Sequence, residues 1–348
     1  MAIKETADRF RRFSRTEAGH LPVYSRLVSG CADDVDVMTL MEHAPRGQRR
    51  PNLLLASVHD ILLSGVDHPL AAWYPSVSES TPPGEDPYPA FRDLIDSHLQ
   101  RVTDDLATKA TQTNEPNRSC LWRLAMPQLS REVDVPLAIV ELGPSAGLNL
   151  CFDRYSYDFD GGDKGLMSCR LRGGAAPEPL DINVSSRVGL DLMPVDLTDL
   201  AAVRWLKACI WPEQLERHHR FDTAVSIAAL DPPDLRQGDL IDDLPALLAE
   251  VGPDHHLVVI NSWVLFYVER SRRLALESML DRHQGDFAAL SWVSAEGPGV
   301  IAWAGDRDDY LDEPHSVVGW THWRDGQLRT QKILARCHSH LAWLERFS

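Results

Sequence analysis

Apolar residues recur at helical spacing through the first 135 positions. Ile3 to Phe13, Leu21 to Val28, Val35 to Met41, Asn52 to Leu63, Phe91 to Leu106 and Ser119 to Leu129 each carry a stripe of period 3–4, which predicts helices. The breaks between them, Pro45–Pro51 and SVSESTPPGEDPYP at 76–89, are rich in Pro and Gly. From Pro136 the texture changes. The short apolar run Leu137–Leu142 ends in Gly-Pro and is followed by a helical pattern, and further apolar runs fall at 187–190, 256–260 and 287–293. Helical stretches lie between them at 198–209, 216–229, 243–250 and 269–283. Strands alternating with helices predict an α/β fold with a parallel sheet covered on both faces. Two later runs, Val317 to Trp323 and Gln327 to Leu334, flank Arg324-Asp325-Gly326, a turn signal that predicts a closing antiparallel hairpin. The expectation is a helical cap domain over 1–135 and an α/β domain over 136–348. An inserted hairpin is expected at about 155–182, where Gly161-Gly162, Gly165 and Gly173-Gly174 interrupt short alternating runs.

The chain has 348 residues, 35 basic and 51 acidic, for a net charge of −16. This excess argues against non-specific nucleic-acid binding, and against a large anionic ligand unless a local basic pocket exists. Residues 136–348 hold a net −12 and the first 135 only −4, so a cationic ligand is expected in the second segment. The six cysteines show no CxxC spacing, which fits reduced thiols. No apolar run approaches the ~20 residues of a membrane span, and MAIKETADRFRRFSR has no apolar signal core. A cytoplasmic protein acting on a small molecule, without nucleic acid or membrane, is expected.

Glu141-Leu-Gly143-Pro-Ser145-Ala-Gly147-Leu-Asn149 is the most informative stretch. A strand that ends in a glycine turn and opens a helix aims backbone N–H groups at a ligand. Val188-Gly189-Leu190-Asp191 predicts a second strand ending in an acid, placed to hold ribose hydroxyls. Its distance from Gly143, 48 residues against the usual ~20, fits the proposed insertion. Gly238-Asp239 puts another acid at the presumed end of a third strand.

Together the three segments resemble the class I S-adenosylmethionine-dependent methyltransferases over roughly residues 136–335. Glu141-x-Gly143-x-x-x-Gly147 stands for the first motif, Gly189-x-Asp191-x-x-Pro194 for the second and Gly238-Asp239 for the third. The resemblance implies a Rossmann-like seven-stranded sheet with its last strand antiparallel. It also implies S-adenosylmethionine as cofactor, held by Glu141 and the Gly143–Gly147 turn at the methionine part, Asp191 at the ribose and Asp239 at the adenine amino group. Ser145 replaces the usual middle glycine, Asn149 follows the turn, and Asn261 ends the fourth strand; these complete the candidate cofactor set. The Asn/Asp-Pro-Pro-aromatic motif of amino-group methyltransferases is missing: Asp231-Pro-Pro-Asp234 precedes the third strand and has no aromatic residue. The whole chain also looks like a bacterial and fungal family of unknown function, through GQRRPNLLLASVHDILL, QTNEPNR and CHSHLAWLE.

Gly143-Pro-Ser145-Ala-Gly147 is equally a G-x-S-x-G nucleophile elbow. Ser145 with Asp239 or Asp231 and with His338 or His340 would make a hydrolase triad. Helices instead of strands before the elbow, no His-Gly-Gly segment upstream, and an acid at Asp191 without a hydrolase role weigh against it. A non-catalytic Rossmann-like scaffold is the third reading. Cys337-His338-Ser339-His340 matches no tetrahedral metal spacing, so no metal site is expected. Candidate bases for an acceptor are Glu296 after the fifth strand, His59, and Glu115 within the polar run 111–118. Gln48-Arg49-Arg50, beside a helix start, reads as a solvated basic edge. Trp263, Trp292 and Trp303, near presumed strand ends, are candidates for an aromatic wall against a sulfonium.

Overall fold

The computed structural model describes residues 2–160, 165–174, 176–179, 181–304 and 315–347. Up to residue 129 the described residues form helices α1 (Ala2–Arg15), α2 (Pro22–Asp33), α3 (Val35–Leu40), α4 (Pro51–Leu63), α5 (Tyr88–Ser97), α6 (Leu99–Thr108) and α7 (Ser119–Leu129), with short 3-10 turns between them. The single stripe over 91–106 is thus two helices, broken at His98. The second half runs β1 (Leu137–Leu142), β2 (Tyr157–Asp158), β3 (Met167–Ser168), β4 (Arg170–Leu171), β5 (Val184–Asp191), α8 (Leu200–Ala208), α9 (Leu215–Ala228), β6 (Asp234–Gln237) and α10 (Leu244–Leu248). It continues with β7 (His256–Ser262), α11 (Arg270–Arg282), β8 (Ala289–Glu296), β9 (Ser316–Arg324), β10 (Gln327–Cys337) and β11 (Trp343–Arg346).

The chain divides into two compact units, Met1–Thr113 with Thr198–Phe221, and Asn114–Leu197 with Asp222–Ser348. A single cut at 135 is therefore replaced by a discontinuous one: α7 goes with the sheet, and α8 goes with the first helices. Long-range contacts explain α8. Arg204 Nε donates to Asp60 Oδ1 at 2.9 Å and Trp205 Nε1 to the Ala110 carbonyl at 3.0 Å. Trp205 joins the apolar core that Phe10, Tyr24, Leu27, Leu53 and Phe91 build in the first unit.

In the second unit nine strands form one sheet in the order β4-β11-β10-β9-β8-β7-β1-β5-β6, parallel from β6 through β8. All six residues of β1 and all seven of β7 are buried, as for strands covered on both faces. β9 runs antiparallel to β8 and to β10. The β9–β10 hairpin turns on Asp325 and Gly326, both at positive φ (53° and 65°), the conformation an Asp-Gly pair favours.

Two expectations need correction. The sheet has nine strands instead of seven, because the short β11 and β4 extend its far edge. The insertion is not a hairpin: β2 pairs with β3 in parallel, and β4 pairs with β11 at Trp343 and Leu344. Of its glycines, Gly161 and Gly162 lie outside the described residues. The first strand is followed by an irregular 3-10 segment over Leu148–Arg154, kinked at Cys151, where an α-helix was expected.

Candidate functional site

The parallel strands share one carboxyl edge, and the order reverses between β1 and β7, the place where open α/β sheets bind ligands. Glu141 lies one residue before the end of β1 and pairs in register with Gly189 on one side and Ile260 on the other. Its side chain is 2 % exposed, and Oε2 has no hydrogen-bond partner among the described residues. Burial, with help from the nearby charge of Asp191 and against the opposing field of Arg118, pushes this carboxyl up to about 8. Asn149 is also buried, and its Oδ1 is unpartnered. An unpaired buried carboxylate is expensive to keep unless something else uses it.

The turn between these residues is built by close packing. Gly143 and Gly147 have φ of 70° and 69°. A Cβ on Gly143 would sit 2.5 Å from Val264 Cγ2, and one on Gly147 2.6 Å from Pro233 Cγ. Both glycines are thus required by protein–protein packing, and neither leaves an open cradle. Ser145 also has positive φ (55°), and its N–H donates to Asp191 Oδ2 at 2.8 Å. Asp191 Oδ1 accepts from the Met193 N–H at 2.8 Å. Each carboxylate oxygen keeps a second acceptor position.

Asp239 is more fully used. Its Oδ1 accepts from the N–H groups of Ile241 and Asp242 and from Arg272 at 2.8 Å. Burial would raise its pKa, but these N–H groups and Arg272 outweigh that and hold it low. Asn261 is buried too: Nδ2 donates to Ser294 Oγ and Glu296 Oε1, both at 2.8 Å, and Oδ1 accepts from Trp292 Nε1 at 2.8 Å. Trp292 is therefore tied into the sheet, and Trp263 Nε1 donates to Ser316 Oγ.

The three candidate bases separate clearly. Glu296, fully buried, accepts from Asn261 Nδ2 and from the backbone N–H groups of Val264, Leu265 and Phe266. It anchors the turn after β7, a role its position in the sequence did not reveal. His59 belongs to the other compact unit, fully buried; Nδ1–H donates to the Ala208 carbonyl at 3.1 Å and Nε2 accepts from Ser76 Oγ at 2.8 Å. Burial and the neighbouring His218 push it down to about 3, so it is neutral and structural. Glu115 is 1 % exposed and accepts the Asn117 N–H, with Oε2 3.9 Å from His340 Nδ1.

Glu115 opens onto a cluster built from the polar run 111–118. Arg118 donates to the carbonyls of Ser339 (3.3 Å) and Ser262 (3.4 Å), joining the end of β7 to the loop after β10. Asn117 Nδ2 donates to the carbonyls of Ser168 and His340, and its Oδ1 accepts the Ser168 N–H. Asn114 is 7 % exposed, and neither its Oδ1 nor its Nδ2 has a partner among the described residues. The run 114–118 thus stitches the edge where Glu141 stands, and like Asn149 it carries an orphaned amide.

The hydrolase acids are committed elsewhere, since Asp231 pairs with Arg154 and Asp239 with Arg272. A cleft of about 660 Å³ opens at the opposite ends of the strands, beside Val184, Ser186, Arg236 and His255. Its arginines each hold a carboxylate: Arg236 holds Asp234 and Glu250, Arg154 holds Asp231 and Arg187 holds Asp153, although Arg187 Nε has no partner among the described residues. The cleft thus has an orphaned atom of its own, and the carboxyl edge is the better candidate because Glu141 and Asn149 both hold unpartnered oxygens there. No group of three or more His, Cys, Asp or Glu fit to hold a metal occurs among the described residues. No described helix is long and apolar enough to cross a membrane.

Residues 7–346 match a family described as uncharacterised proteins conserved in bacteria (DUF2332). The chain belongs to that family. No curated protein matches it.

Proposed function

We propose that this member of the uncharacterised bacterial family is an S-adenosylmethionine-dependent methyltransferase acting on a small molecule. The observation that carries the reading is Glu141: a buried carboxylate with an unpartnered oxygen, at the carboxyl end of β1, beside the point where the strand order reverses. The β6-β5-β1-β7-β8 order supports a Rossmann-like core, since in chain order these parallel strands read 3-2-1-4-5. The residues fit the polar parts of the cofactor. Glu141 Oε2 and Asn149 Oδ1 lack partners among the described residues, the raised Glu141 carboxyl can donate its proton as well as accept, and Asp191 retains acceptor capacity for ribose hydroxyls. S-adenosylmethionine, when bound, supplies an electrophilic methyl group on a sulfonium. Asp239 and Asn261 would shape that edge through Arg272 and Glu296, with Ser145 holding the turn. Glu115, beside His340, would take the acceptor's proton, while Glu296 and His59 keep positioning roles.

Calorimetric titration with S-adenosylhomocysteine tests the reading. Saturable binding is expected, weakened at least tenfold by Asp191→Ala and by Glu141→Gln. No binding at millimolar ligand, with the Asp191 variant behaving like the parent, overturns it.

The positive φ of Ser145 favours one other reading, because a nucleophile elbow strains its serine in this way. That reading requires hydrolysis of a chromogenic ester that Ser145→Ala abolishes. The degenerate scaffold predicts neither binding nor turnover.

A further inference from the structure

In the first compact unit, a cavity of about 400 Å³ is lined by Arg9 and Arg12 of α1 and by Arg46 and Arg50 of the loop before α4. Arg9 is satisfied, donating to the Arg49 carbonyl at 3.1 Å with Glu5 at 3.7 Å. Arg12, Arg46 and Arg50 make no hydrogen bond and no ion pair through their guanidinium groups among the described residues. Glu17 is the one acidic side chain on the wall, and its field is shared by Arg12 and Arg50.

Arg12, Arg46 and Arg50 are exposed, so water screens their mutual repulsion, but a chain of net −16 has ample acidic residues with which to pair them and places only Glu17 on this wall. It pairs most other arginines: Arg92, Arg101, Arg204, Arg236 and Arg272 each hold at least one carboxylate. The overall negative charge does not forbid an anion here, since at physiological salt fields are screened beyond ~8 Å and the local guanidiniums decide. We propose that this cavity binds the phosphate group of a small phosphorylated ligand.

Phosphate is preferred to carboxylate on donor count. A carboxylate presents two oxygens in one plane, which a single guanidinium fork satisfies. A phosphate monoester dianion presents three terminal oxygens in different directions, suited to forks arriving from α1 and from the 46–50 loop. The first turn of α4, Pro51 and Asn52, completes the wall and adds partial positive charge of the same sign. A volume of this size accepts the phosphate with a small organic remainder, with Phe13 as an apolar contact. The inference is independent of methyl transfer, because every residue it uses lies in the other unit.

The test uses the full chain, inorganic phosphate and phenyl phosphate as probes, and acetate as the comparison anion, all at one ionic strength set with sodium chloride. Calorimetry should show saturable phosphate binding, at least tenfold weaker in the Arg12→Gln/Arg46→Gln double variant. Arg15→Gln, which removes an exposed α1 charge outside the cavity, should bind like the parent. In chloride buffer the double variant should melt close to the parent, since the like-charge repulsion it loses and the Arg12 attraction to Glu17 oppose each other and no hydrogen bond is lost. Equal affinity in parent and double variant, or no saturable binding, overturns the site. Acetate binding as tightly as phosphate overturns the choice of ligand.

Discussion

Asp191 Oδ2 accepts the backbone N–H of Ser145 at 2.8 Å, tying the end of β5 to the turn that leaves β1. The bond holds a non-glycine residue at φ 55°, where an L side chain is strained by roughly 1–3 kcal/mol. The same carboxylate accepts the Met193 N–H, so it organises two loops of the carboxyl edge at once.

Asp191→Ala should therefore lower stability by about 1–3 kcal/mol, the range for a lost hydrogen bond to a charged acceptor. Asp191→Asn should lose less, because its amide oxygen can still accept one of the two N–H groups. Urea midpoints of the three proteins check the order, and an alanine variant as stable as the parent would remove the structural role.

Periodicity made most elements legible. The helices up to 129 and those at 200–208, 215–228 and 270–282 lie where apolar stripes put them, most because they bury one face, α4 and α7 because they are buried nearly all round. The Asp325-Gly326 turn was legible for a stronger reason: few dipeptides tolerate positive φ twice. Tertiary partners were not legible. Nothing in Arg204 itself says that it will find Asp60, 144 positions away, and so carry α8 into the first unit. Glu296 looked like a free acid at a strand end because its four donors come from Asn261 and the turn of a neighbouring strand. The unpaired state of Glu141 was hidden for the same reason, although its position was not.

Glu141→Gln should stabilise the fold, and more so at higher pH. The folded carboxyl is raised from 4.5 to about 8, so the folded state holds a proton that the unfolded chain releases. Stability from this group is full below pH 4.5 and declines as pH rises toward 8, by a few kcal/mol at about 1.4 kcal/mol per unit. The glutamine variant lacks that decline, so its melting temperature relative to the parent should rise between pH 5 and pH 8. A difference that stays constant with pH would show the carboxyl ionised throughout.

Asp60 is 1 % exposed and holds Arg101 at 2.6 Å and Arg204 at 2.9 Å. Asp60→Ala removes the carboxylate that two cations share, though both guanidiniums are one-third exposed and recover some hydration. A loss of about 2–4 kcal/mol is expected, somewhat below the full effect of breaking a deeply buried pair. Because Arg204 lies on α8, limited proteolysis should cut the 198–221 segment earlier in the variant. Unchanged cleavage there would assign the anchoring to Trp205 instead.

Acid should weaken the sheet through His256. Its Nε2 and His322 Nδ1 both lie 2.9 Å from Ser291 Oγ, which also accepts from Trp320 Nε1. One hydroxyl proton cannot serve both rings, so one ring donates and the other accepts, and the accepting ring is neutral. Burial, reinforced by His322, holds His256 down to about 3 against 6.5 in the unfolded chain. The unfolded state takes up the proton first, so stability is full above pH 6.5 and falls progressively as pH drops toward 3. Between pH 7 and pH 5 the urea midpoint of the parent should fall relative to that of His256→Gln, in which the opposing gain from Glu141 is the same. His256→Gln, which can still hydrogen-bond Ser291 but does not titrate, should start lower at pH 7 and lose less over the same interval. An equal loss in both proteins would place the acid sensitivity at another group, with the buried His59 of the first unit, also held near 3, the next to test.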